Sequence, residues 1–210
     1  MRRLLLMGMT TLAVGASARA QLPPDIHPET LSRLPPATAA DLDEEGRRLL
    51  EESTRNMAIP GPTQFSMYSP GSRDLGIPSG ENSPVGARNF QLAVLIVARE
   101  IDQEYEWSSH AVMGRQQGLE QNVIDAVKYD RDVTGLSAAD ATLITFGRKL
   151  LRENGVSSEL WQQMVDEFGR QHTVQLLQIM GAYLRVGIML NAVDQQVPPE
   201  RTEILPPLDR

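Results

Sequence analysis

Seven consecutive apolar residues, 92–98, sit in the middle of a chain that shows no convincing strand alternation anywhere. A run of this kind fits either a strand buried on both faces or a helix buried all round. Punctuation decides between them. No turn signal follows until Asp102, and helix-favouring composition continues to Gly118. The run therefore reads as a buried helix, with a break near Asp102 and a second helix over residues 103–117 that Gly118 closes.

The same signals organise the rest of the chain. Residues 41–56 are amphipathic, with Leu42, Leu49 and Leu50 on one side and Glu and Arg on the other. Residues 59–84 carry Gly61-Pro62, Ser69-Pro70-Gly71 and Pro78-Ser79-Gly80, and so read as a packed loop with short helical turns. A short helix follows over 120–130. Ser137 with Asp140 forms a capping-box-like start for a helix that runs to Asn154 and is closed by Gly155. Ser157 caps another helix, which ends near Gly169, and a last apolar-striped helix covers about 171–194, stopped by Pro198-Pro199. No repeat or heptad array appears. The fold class is all-α, with one domain over 41–200, a proline-rich extended arm or linker over 21–40, and a C-terminal tail over 201–210.

Residues 1–20 have the pattern of a secretory signal peptide. Arg2 and Arg3 precede an apolar run over 4–14, and Ala18-Arg19-Ala20 fits a small-x-small cleavage site. The expected location is periplasmic or extracellular, with no membrane association after cleavage. Cleavage would deepen a formal charge of -7 by removing three arginines and no acid. An acidic chain without a Lys/Arg run carries no electrostatic footprint for nucleic acid. There is no cysteine in the 210 residues. Disulfides, thiolate nucleophiles and Cys-zinc sites are thereby excluded.

The segment 103–110 concentrates the candidate chemistry. Glu106 and His110 are four residues apart on a helix, so they share a face and can hydrogen-bond. A carboxylate on an imidazole fixes its tautomer and raises its basicity, a common way to build a general base. The same spacing also serves plain solvated helix pairs. Tyr105 and Trp107 flank the pair on different helix faces, so at most one of them lines a pocket fully; Trp107 is more often core. Tyr183 and Asn191 stand two turns apart on the last helix, close to one face. Gln91 is placed to donate to a carbonyl or carboxylate. His27 and His172 lack metal-ligand spacing to His110, so no metal site is assigned.

Three segments together resemble the carboxymuconolactone decarboxylase family, the wider group that includes the AhpD-type alkylhydroperoxidases. They are Gly61-Pro62 with Ser69-Pro70, the stretch 91–118, and Gly181-Ala182-Tyr183 followed by Leu190-Asn191-Ala192 and Val197-Pro198. The resemblance covers about residues 45–200. It implies an AhpD-like helical domain, self-association as a homotrimer or hexamer, and pockets near subunit interfaces. Gln103 and Glu106 stand where the redox branch carries its cysteine pair, so thiol-dependent peroxide reduction is absent. His110 matches the family histidine, and Gln91 falls where many relatives have glutamate. Two functions follow from this. One is an exported, cofactor-free, decarboxylase-like lyase acting on a small unsaturated acid or lactone, with His110 and Glu106 catalytic and Gln91, Tyr105, Trp107, Tyr183 and Asn191 binding substrate. The other is a non-catalytic ligand-binding or structural oligomer on the same fold.

Overall fold

The computed structural model describes residues 22–56, 61–69, 76–77 and 80–208. The signal-peptide assignment over 1–20 lies outside the described residues, as do parts of the loop around 59–84. Seven α-helices and no strand occur among the described residues: α1 Glu44–Asn56, α2 Pro62–Tyr68, α3 Ala87–Glu100, α4 Glu104–Gln116, α5 Gln121–Lys128, α6 Ala138–Glu153 and α7 Ser158–Ala192. Short 3-10 turns stand at Ala39–Asp41 and Gly80–Asn82.

The apolar run is the helix at the centre of the molecule. Every residue of α3 from Phe90 to Arg99 is buried. It packs against α4, α5, α6 and α7, which is why it has no polar face. Each buried Leu, Ile or Val here contributes about 1.5–3 kcal/mol of transfer free energy. The helix stops at Ile101, and Asp102 takes a left-handed conformation (φ 52°) that a short acidic side chain tolerates. Gln103 then opens α4. Its Oε1 accepts from the Tyr105 amide at 2.7 Å and the Glu106 amide at 3.3 Å, which satisfies two donors of the new helix end.

Ser137 and Ser157 cap α6 and α7 through bonds to the Asp140 and Leu160 amides. One boundary differs from expectation. Asn154, not Gly155, ends α6, because Asn154 itself adopts the left-handed conformation (φ 56°). The two helices expected over 157–194 run on as one element, α7, broken at Gly169 by a non-helical backbone (φ 74°). By length and composition α7 is able to cross a membrane. In this fold it is a core helix, with Met164, Thr173, Leu176 and Leu190 fully buried among its neighbours.

The two end segments are not free. From residue 22 the chain makes tight turns, bridges His27 to Ser32, and docks on the end of α7. Arg33 N donates to Val193 O, Gln196 N donates to Leu31 O, and Gln195 Nε2 donates to Thr30 O and Leu31 O. Ile26, Thr30 and Ser32 are buried there. The prolines thus shape a docked turn rather than a linker. After α7 the chain folds back across α4 as a strap over 197–208. Its Leu205 is part of the core, its Glu203 pairs with Arg115, and Pro206 O accepts from Arg99 Nη1 at 2.7 Å.

Candidate functional site

A pocket of about 380 Å³ lies where α2, α4, α7 and the strap meet. Helix α4 supplies Tyr105, Glu106, Ser109, His110 and Met113, the side of the helix turned away from Trp107 and Ala111. Helix α7 supplies Tyr183, Arg185, Val186 and Met189, α2 supplies Pro62, Thr63 and Phe65, and the strap supplies Arg201. Gly61 fixes the α2 wall. It holds φ 103°, and a Cβ there would run into the Tyr105 hydroxyl, so only glycine lets α2 close on that ring.

His110 is 7% exposed and is held at both ring nitrogens. Nδ1 lies 2.6 Å from Gln91 Oε1, and Nε2 lies 3.2 Å from Glu106 Oε2. The Tyr183 ring meets the imidazole edge-on, with centroids 5.0 Å apart, and meets Phe90 in the same manner at 5.6 Å. With the amide oxygen facing it, Nδ1 must carry a hydrogen. The Glu106 carboxylate is then the partner left for Nε2.

The phenols of the pocket stay protonated. Burial first, and then the charge of Glu106, push the Tyr183 phenol well above the usual range. Burial also raises Tyr105, against the opposing pull of Arg201. Both are hydrogen-bond donors at neutral pH. Arg201 lies over the Tyr105 ring at 4.3 Å from its centroid. Its Nη1 donates to Tyr105 O at 3.1 Å and Ser108 Oγ at 3.2 Å, and its Nη2 donates to the Tyr105 hydroxyl at 3.3 Å.

The structure brings His110, Glu106, Tyr105 and Tyr183 to one wall and separates the other three candidates. Trp107 is fully buried in the core on the far side of α4, so it does not bind substrate from this pocket. Tyr105 and Trp107 are two residues apart, a rotation of about 200° on a helix, and the core takes the larger ring. Gln91 is no pocket wall either: its carboxamide oxygen is spent accepting from His110, so it orients the imidazole rather than touching a ligand. Asn191 belongs elsewhere. Its Oδ1 accepts from Gln103 Nε2 at 2.7 Å and its Nδ2 donates to Ile101 O at 3.0 Å, tying the end of α7 to the α3–α4 break. Eight residues along an α-helix leave a rotation of about 80° between Tyr183 and Asn191, enough to part them. Gln103, at one expected cysteine position, is likewise committed to capping and to Asn191. Arg201, Arg185 and the residues of α2 were not anticipated. Arg201 follows two prolines in what reads as a tail, and nothing local signals its return to α4. Among the described residues no group of three His, Asp or Glu side chains converges to hold a metal ion.

No protein-family model matches the chain, and no curated protein matches it in sequence. Solved structures do match. An uncharacterised peroxidase-related protein from Ralstonia eutropha, described as an alkylhydroperoxidase AhpD core, superposes with a TM-score of 0.63 at 16% identity, over 83% of this chain and 95% of that one. The fold is that of the AhpD core. The debrominase Bmp8, solved as a cysteine-to-alanine variant with 2,3,4-tribromopyrrole, matches with a TM-score of 0.55 at 12% identity, over 78% of this chain and 90% of that one. The all-helical AhpD-like architecture expected from the motifs is therefore borne out at the level of the fold.

Proposed function

We propose that the chain is an exported, cofactor-free enzyme that moves a proton on a small unsaturated acid or lactone, with His110 as the acid/base and Glu106 as its partner. One observation carries the reading. A histidine fixed at both nitrogens opens on a pocket whose remaining walls are largely apolar. Decarboxylation is the reaction that such a site suits. The bond to the carboxyl carbon breaks, carbon dioxide leaves, and the electron pair passes into the conjugated carbonyl as a dienolate. The neutral phenol of Tyr183 can donate to that developing oxyanion. His110, with Glu106 as its partner, then delivers a proton to carbon and takes a new one from water. The pocket volume suits a single small ring, and the fold's debrominase member holds a small unsaturated ring.

A second reading, a non-catalytic ligand binder, draws on Gln91. A neutral amide on Nδ1 cannot relay a proton as a carboxylate would. Under either reading the chain self-associates as a trimer or hexamer. Val112 and Ile188 are exposed large apolar side chains on the two helices that carry the site, α4 and α7. Light scattering at micromolar concentration checks this, and a monomer rejects it.

The test of the enzyme reading is proton transfer itself. Wild type and His110→Gln are incubated in D₂O with a panel of small unsaturated acids and lactones. Deuterium incorporation and carbon dioxide release are followed by NMR. Incorporation by wild type and not by the variant supports the reading. Ligand binding without incorporation by either moves the function to the second reading.

A further inference from the structure

We infer that Arg201 is the residue through which this pocket selects a carboxylate-bearing ligand over its neutral counterpart. The inference rests on the pocket being a ligand site, as proposed above, and it does not require catalysis.

Three observations lead there. First, the guanidinium is placed but not neutralised. In this acidic chain Arg88, Arg99, Arg115 and Arg152 each close on a carboxylate. Arg201 has no carboxylate partner among the described residues. Its bonds go to a backbone carbonyl and two hydroxyls. Secondly, those bonds leave donors over. A guanidinium has five N–H groups. Two on Nη1 and one on Nη2 are engaged, so Nε–H and one Nη2–H remain. They sit on adjacent nitrogens and equal the number that a carboxylate takes in a bidentate pair. Stacking on Tyr105 and anchoring to α4 hold the fork in place before a ligand arrives, which lowers the ordering cost of binding.

Thirdly, the charge of the wall is compatible with an anion. Glu106 is the only carboxylate among the described lining residues, against the guanidiniums of Arg185 and Arg201. Phe65, Met113, Val186 and Met189 provide apolar surface for the ligand body. A flat monoanion fits this lining with its carboxylate on Arg201 and its ring on those side chains. The arginine is carried by the strap rather than by the helices, so its supply depends on the chain returning across α4 after Pro199.

The test uses the full chain and two probes of one shape, 2-furoate and furan-2-carboxamide. Affinities for both are measured by calorimetry or ligand-observed NMR on wild type, Arg201→Gln and Arg201→Lys, with thermal midpoints recorded alongside. Wild type is expected to prefer furoate by about tenfold or more. Arg201→Gln is expected to bring the ratio near one while the amide affinity holds. Arg201→Lys is expected to keep part of the preference, since it retains charge without the fork. The ratio is internal to each variant, so partial unfolding scales both affinities alike and leaves it unmoved. Equal affinities in wild type, no binding of furoate, or a preference that survives Arg201→Gln each overturn the inference. Furoate preference without any deuterium incorporation would sustain it while removing the enzyme reading. Incorporation into neutral lactones with no preference would do the reverse.

Discussion

Two hollows lie between α4 and α7, and they differ in how their polar groups are used. The first holds His110, Glu106, Tyr105, Tyr183 and Arg201. The second, about 270 Å³, is lined by Asp102, Gln103, Glu104, Asn191, Asp194, Gln195, Gln196 and Val197. In the second, the groups are spent on one another and on the chain ends. Gln103 bonds Asn191, Glu104 accepts from Leu205 N at 3.1 Å, and Gln195 holds the docked turn around Thr30. In the first, apolar side chains fill out the wall, and the guanidinium keeps donors in reserve. Concavity and polarity alone do not mark a site; polar capacity left over after the fold is satisfied does.

Breaking the imidazole should separate the two hollows most sharply. His110→Gln is expected to lower turnover by about 10²–10⁴ while the protein stays folded. Glu106→Gln should cost less, because the imidazole remains and loses only its partner. Steady-state rates and circular dichroism on the same samples check both. A large stability loss with unchanged activity per folded molecule would make His110 structural.

Gly61→Ala attacks the wall of the first hollow. Strain at φ 103° and collision with the Tyr105 hydroxyl should cost about 1–3 kcal/mol, read by chemical denaturation. Ligand affinity should fall with it, because α2 must back away from the pocket. Unchanged affinity would show that α2 does not shape the site. Asn191→Ala is the matching change in the second hollow. It strips bonds to Gln103 and Ile101 and should cost about 1–2 kcal/mol of stability, with activity per folded molecule unchanged. Lost activity there would merge the two hollows into one functional unit.

The smallest effect belongs to neither hollow and serves as a background for both. Burial pushes the Asp140 carboxyl up, but bonds from Arg88 and Ser137 outweigh it and hold it below the usual range. Its contribution is present above the ordinary carboxylate pKa of about 3.9 and is lost as pH falls through the lower folded value. Arg88→Gln should therefore flatten the acid side of the stability curve, measured as thermal midpoint against pH, without touching ligand binding. Altered binding would tie this ion pair to the pocket.

Much of the molecule was written locally. The apolar run over 92–98 could only be buried, and the Ser137 and Ser157 caps marked helix starts because a serine oxygen before an apolar stripe meets the orphan amides of a first turn. The Glu106–His110 spacing was legible for the same reason, since i and i+4 share a helix face wherever that helix goes. What stayed hidden depends on which element packs where. Tyr105 and Trp107 are both aromatic neighbours of the pair, and only the position of α3 sends one to the pocket and the other to the core. Gln91 and His110 lie on different helices, and their 2.6 Å contact exists because α3 and α4 pack side by side. Arg201 and the docked turn around Thr30 needed the whole fold, since nothing within a few residues of either dictates the surface it lands on. The sequence by itself determined the helices, their ends and one reactive pair. Tertiary packing decided what surrounds that pair, because distance between side chains far apart in the chain is set by the core they share.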